Sequence, residues 1–344
     1  MIPSQIAVEL HTIRAAGQSP FIHGPTGIGK SRVVADYAKT QNLEIRDIRA
    51  SQLDPVDARG IPVPVPATKT TTWYPPDFLP TKGTGIVFLD ELNRANQDTQ
   101  SALYQLILEK RIGDYYLPLE WSIVAAGNRD IDGCMVQPMS RALKNRFIHL
   151  DMESNYKDWH AWAHENQVIE HVIAFMRFRP TALDEVAEAS KGNSKKMDVI
   201  RNSNAFATPR SWEFASTLLK TAFAQGRKLR DCYHLLEGTI GEGMAGEFVS
   251  YCDIYLELPD LDGVIADPST YKPVKDPNRL YAICTGLAAR ANKQTFGNIK
   301  QITDTMPREY AAWTIDDCLH RNKKEIGEHP AYIEYVYKNL EYAA

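Results

Sequence analysis

The sequence predicts an α/β fold over its first 150 residues, a parallel sheet with flanking helices, followed by a helical remainder. Three observations lead there. Short apolar runs such as Gly85–Asp90 (GIVFLD) and Ser122–Ala126 (SIVAA) read as strands buried on both faces. These runs alternate with helical patterns up to about Leu150. Beyond Leu150 the alternation stops and helical spacing takes over.

The elements follow in order. Ile6, Leu10 and Ile13 mark an amphipathic helix over Ser4–Ala16, and Ser19–His23 reads as a short strand. A glycine-rich loop leads into a helix from Ser31 to about Lys39, and Leu43–Ile48 alternates as a second strand. Seven of the 20 prolines fall between Pro55 and Pro80, which excludes a continuous helix or a central strand and predicts an excursion from the core. Regular structure resumes at Gly85–Asp90. A helix capped by Asn96 runs to about Glu109 and buries Leu103, Leu106 and Ile107. Gly113-Asp114 predicts a hairpin, Ser122–Ala126 another strand, and Phe147–Leu150 the last.

In the helical part, Trp159, Trp162, Ile169, Val172 and Phe175 stand at helical spacings. Thr208-Pro209 is a helix start, and Ala189–Ser203, with Lys191, Lys195 and Lys196, reads as an exposed loop. The stripe Ala311, Ile315, Cys318 and Leu319 reads as core. Expected domains are residues 1–150, with an insert at about 51–80, then 151–257 and a helical extension over 258–344.

Composition narrows the function. Thirty-nine basic against 43 acidic residues leave a net charge of −4, so no chain-wide attraction draws the protein to nucleic acid or acidic membrane. No run reaches the roughly 18 apolar residues of a membrane span, and the amino end lacks a basic start and a long apolar core, so a cytoplasmic protein is expected. Five scattered cysteines, none in a C-x-x-C pair, read as reduced packing residues. His160 and His164 stand four apart with His171 two turns on. That spacing can hold a metal, but no cysteine or acidic pattern completes a site.

The chemistry concentrates in a few segments. Gly24-Pro25-Thr26-Gly27-Ile28-Gly29-Lys30-Ser31 matches G-x-x-x-x-G-K-[ST] between a predicted strand and a predicted helix. Glycines let the backbone wrap phosphate oxygens, the helix start adds its positive dipole end, Lys30 balances the β- and γ-phosphates, and Ser31 offers a hydroxyl to Mg²⁺. The strand Ile86–Asp90 delivers two carboxylates at its carboxyl edge. Asp90 is expected to hold Mg²⁺ and Glu91 to polarise water.

With Asp90-Glu91-Leu92-Asn93-Arg94-Ala95 on that strand end, the first ~225 residues resemble AAA+ ATPases, and within them the MoxR-like group of the dynein-related subfamily. The resemblance implies a P-loop sheet domain followed by an α-helical lid. The proline-rich excursion looks like that clade's insert, and the Gly113 hairpin like its pre-sensor hairpin. Asn128 falls at the sensor 1 position, and Arg146 in Ser140–Phe147 at the arginine finger, with Arg141 and Arg94 as rivals. Arg210 falls at the sensor 2 position. The family further implies ATP and Mg²⁺ as cofactors, a homo-oligomer, most often a hexameric ring, and the remodelling or chaperoning of protein complexes with a protein client or a von Willebrand factor A-type partner. Two alternatives share the catalytic residues or the binding loop: a nucleic-acid-acting motor or loader, against which net charge argues, and an ATP-gated non-catalytic scaffold, against which Glu91 argues.

Overall fold

A computed structural model describes residues 1–129, 137–190, 194–256 and 260–340. Two compact units make up the chain, Met1–Asn155 with Val186–Arg201, and Tyr156–Glu185 with Asn202–Ala344.

The first unit is built on α1 (Pro3–Ala15), β1 (Pro20–His23), α2 (Lys30–Thr40) and β2 (Glu44–Arg49). The proline-rich stretch forms α3 (Pro55–Arg59) and an antiparallel hairpin of β3 (Ile61–Val65) and β4 (Thr70–Tyr74), a small sheet of its own. Then come β5 (Gly85–Asp90), α4 (Gln97–Glu109), the hairpin β6 (Arg111–Ile112) and β7 (Tyr115–Tyr116), β8 (Trp121–Gly127), α5 (Arg141–Lys144) and β9 (Ile148–Asp151). The main sheet has five strands, all parallel, in the order β2-β5-β8-β1-β9.

Alternation along the strands explains the layering. Val87 and Leu89 join the cluster of Leu103, Leu106 and Ile107 on α4. Ile86 and Phe88 join Ile6, Leu10 and Ile13 of α1 and Val34 of α2. Period-2 side chains thus bury both sheet faces under helices. Asn96 caps α4 as expected, its Oδ1 accepting from the Thr99 amide at 2.7 Å.

One expectation is corrected here. Part of the stretch read as an exposed loop, Ala189–Ser203, is helical: α8 (Glu185–Ser190) ends within it and α9 (Ser194–Asn202) follows. Ile200 is buried, and that anchor outweighs a polar, serine- and lysine-rich composition. Lys191 lies outside the described residues.

The second unit is helical. It comprises α6 (Tyr156–Glu165), α7 (Glu170–Phe178), α10 (Pro209–Ala224), α11 (Tyr233–Ile240), α12 (Glu242–Leu256), α13 (Leu261–Ala266), α14 (Pro277–Ala289), α15 (Phe296–Thr303), α16 (Arg308–Arg321), α17 (Lys323–Gly327) and α18 (Pro330–Leu340). One cluster gathers Trp159, Phe175, Trp212 and Phe248; a second gathers Ile283, Phe296, Ile315 and Cys318. Helices α7 and α12 both pack on α14, so the clusters adjoin. Cys232, Cys252, Cys284 and Cys318 are free thiols buried in these cores, and Cys134 lies outside the described residues. Among the described residues no helix is long and apolar enough to cross a membrane.

Candidate active site

The loop between β1 and α2 must turn sharply, and the sequence meets this with glycine. Gly27 (φ +80°) and Gly29 (φ +96°) adopt left-handed backbone, which side chains resist. Gly24 is required by packing instead, since a Cβ there would lie 2.6 Å from Ile28 Cδ1 and 2.8 Å from the Met152 carbonyl. Lys30 and Ser31 open α2, where unpaired backbone amides and the helix dipole favour an anion.

Lys30 is buried, and its ammonium donates to Gly24 O (2.7 Å), Pro25 O (2.9 Å) and Asn128 Oδ1 (2.8 Å). Three acceptors thus surround a group with three N–H bonds. The Ser31 hydroxyl donates to Asp90 Oδ2 at 2.7 Å, while Asp90 Oδ1 accepts from the Glu91 amide at 2.8 Å. The loop, the end of β5 and the end of β8 therefore meet. Adjacent parallel strands make this so, because β8 lies between β5 and β1 and each delivers its carboxyl end to the same edge.

Glu91 has left-handed backbone (φ +55°), uncommon for a side chain of its size. Its carboxylate accepts from Ser51 Oγ at 2.6 Å and from Arg94 Nη1 at 3.0 Å. Partial burial works to raise its pKa, but the Ser51 hydrogen bond and the Arg94 guanidinium prevail and hold it below the ordinary carboxylate value. Arg94, one of three rivals for a contact across subunits, thus has a partner in its own chain.

Ser51 and Asn93 went unrecognised in the sequence. Asn93 is buried and donates to the Asn128 carbonyl at 2.6 Å, fixing the residue that meets Lys30. A signal for Asn93 existed in its place two residues after Glu91; Ser51 had none.

The remaining expected residues lie on other elements. Arg146 is exposed between α5 and β9, and Arg141 is exposed in the first turn of α5; neither has a side-chain partner among the described residues. Arg210 lies in the second unit, exposed in the first turn of α10, where Thr208 caps the helix by accepting from the Ser211 amide at 3.1 Å.

The oxygen pair Ser31 and Asp90 suits a hard cation such as Mg²⁺, and the glycine loop ahead of a helix start suits a polyphosphate. The sequence pattern described as AAA domain (dynein-related subfamily) matches residues 20–147, from β1 to the residue before β9. Residues 20–147 are an AAA domain of the dynein-related subfamily. Such a domain implies nucleotide binding.

Comparison with curated proteins gives no significant match. Among solved structures, a point mutant of RuvB from Thermotoga maritima is similar at 18% identity and a TM-score of 0.38, over 83% of this chain and 80% of its own. A candidate ATPase from Cytophaga hutchinsonii is similar at 15% identity and a TM-score of 0.35, over 98% and 88%. NtrX from Brucella abortus, in complex with ADP, follows at 12% identity and a TM-score of 0.37, over 98% and 68%. At these levels of likeness none speaks to a ligand or partner of this chain.

Proposed function

We propose that the chain is a Mg²⁺-dependent ATPase that works as a ring and couples turnover to remodelling or chaperoning of protein complexes. The observation that supports catalysis is the meeting of Ser31 with Asp90 and of Lys30 with Asn128 at hydrogen-bond distance. A loop that only turned the chain would have no need of a carboxylate on its serine and an amide on its lysine.

In this reading Gly24–Ser31 cradles the phosphates and Lys30 exchanges its carbonyl partners for phosphate oxygens. Ser31 and Asp90 hold Mg²⁺, which neutralises charge on the phosphates. Glu91 takes a proton from the attacking water, which it can do because its lowered pKa keeps it ionised at neutral pH. Its bonds to Ser51 and Arg94 take one lone pair on each carboxylate oxygen and hold the group in place, leaving a second lone pair on each to accept from water. Asn128 positions the water or the γ-phosphate. Arg146 of a neighbouring subunit completes the site by spreading positive charge over the transferred group.

Phosphate release and nucleotide binding test it together. Lys30→Ala should bind ATP far more weakly than the wild type. Glu91→Gln should keep ATP and lose roughly 10²–10⁴ in turnover, the range that general-base removal costs. Equal ATP affinity in the wild type and Lys30→Ala would refute the cradle, and full turnover in Glu91→Gln would refute the base.

A further inference from the structure

The two histidines that the sequence left without an acidic partner acquire one from a distant helix, 157 and 153 residues further along the chain. His160 and His164 stand one turn apart on α6, and Asp317 comes from α16 in the same unit. His160 Nε2 and His164 Nε2 are 3.3 Å apart, Asp317 Oδ1 is 3.1 Å from His164 Nε2, and it is 3.6 Å from His160 Nε2. All three side chains are withdrawn from water, at 7%, 9% and 0% exposure.

The triangle has the size a metal demands. With bonds of about 2.0–2.1 Å, tetrahedral zinc separates its nitrogen and oxygen ligands by about 3.3–3.4 Å. A proton network explains the cluster less well. The two ring nitrogens already face each other at hydrogen-bond distance. Of the buried Asp317 oxygens, Oδ2 has the arginine ion pairs and Oδ1 a 3.1 Å approach from His164, but among the described residues neither has a hydrogen bond of good geometry. One proton could bridge one pair of these atoms, whereas a cation satisfies all three. We propose that His160, His164 and Asp317 form a zinc site that ties α6 to α16.

The surroundings select the ion. Arg177 of α7 and Arg321 of α16 each approach Asp317 Oδ2 at 3.4 Å, leaving Oδ1 to face the histidines. Orienting the far side of a ligating carboxylate is what outer partners of metal sites do. Two guanidinium charges nearby also disfavour Mg²⁺ or Ca²⁺, which bind by charge through oxygens. Zn²⁺ gains more from imidazole nitrogen. Burial pushes His160 down to about 3, so its ring is neutral and has a lone pair to give. Asp317 is held well below the usual carboxylate range: burial opposes this, but the His164 contact and both arginines outweigh it.

The test uses the full chain freed of metal by a chelator, titrated with Zn²⁺ in a calorimeter and with Co²⁺ followed by visible absorption. The wild type should take up one Zn²⁺ per chain and give the intense Co²⁺ spectrum of a four-coordinate site. The double variant His160→Gln/His164→Gln should lose both, with affinity falling by at least the roughly 10–100-fold that loss of an outer partner costs. His171→Gln and His23→Gln should bind as the wild type does. Circular dichroism of each metal-free variant checks its folding. Should the double variant unfold, the wild-type stoichiometry and Co²⁺ spectrum, with His160→Gln alone, still decide. No zinc uptake by the wild type, undiminished uptake by the double variant, or uptake abolished by His23→Gln would each overturn the site.

Discussion

At the scale of single residues, one half-buried histidine makes stability depend on pH. His23, the last residue of β1, contacts His149 of β9 at 2.8 Å through ring nitrogens, and His149 in turn reaches the Lys144 carbonyl at 2.8 Å. Burial first, and the neighbouring His149 second, push His23 from 6.5 down to about 4. The unfolded chain therefore takes up a proton on this ring before the folded one does. Stability from the neutral ring is complete above 6.5 and is lost as pH falls from there to about 4. Unfolding followed across that range should show the wild type weakening steadily, and His23→Gln should weaken less steeply. Parallel slopes would show that another group governs the acid limb.

At the scale of elements, the carboxyl edges of β5, β8 and β1 matter more than the helices around them. Pairing aligns His23 with Gly127 and Leu89 with Ala125, so the residues just beyond these strands converge without further constraint. Gly127 lets Asn93 approach: a Cβ there would fall 2.0 Å from Asn93 Oδ1 and 2.8 Å from Phe21 Cζ. Gly127→Ala should cost about 1–3 kcal/mol, as overpacking does, and should lower phosphate release because Asn93 would no longer hold Asn128. A thermal melt and a turnover assay check the two parts, and normal turnover would dissociate the Asn93 contact from catalysis.

Helix starts, strand runs and the phosphate loop were legible from neighbours in sequence. Asn96 and Thr208 cap through bonds spanning three residues, and such a bond is written in local spacing. The stretch at Ala189–Ser203 was misread for the opposite reason. Its helicity depends on a burial that composition does not disclose.

At the scale of the whole molecule, the proposed ring makes a claim about stoichiometry. Arg146 and Arg141 are exposed and without side-chain partners among the described residues, whereas Arg94 is engaged by Glu91. Mixing Arg146→Ala subunits with Glu91→Gln subunits should restore turnover that neither has alone, because some interfaces then pair an intact base with an intact arginine. An arginine finger is worth about 10³ to 10⁵ in rate, so even a minority of such interfaces should be measurable. Failure of every mixing ratio would remove Arg146 from the active site.

The sequence by itself determined the nucleotide loop, the carboxylates at the end of β5 and the division between sheet and helix, since each is encoded in residues a few positions apart. Only the tertiary structure decided that Ser51 and Arg94 restrain Glu91, that Asn93 fixes Asn128, and that Asp317 meets His160 and His164. Apart from the Arg94 contact, these partners lie from 35 to 157 residues apart, and chain connectivity leaves no periodic trace of a contact made by packing.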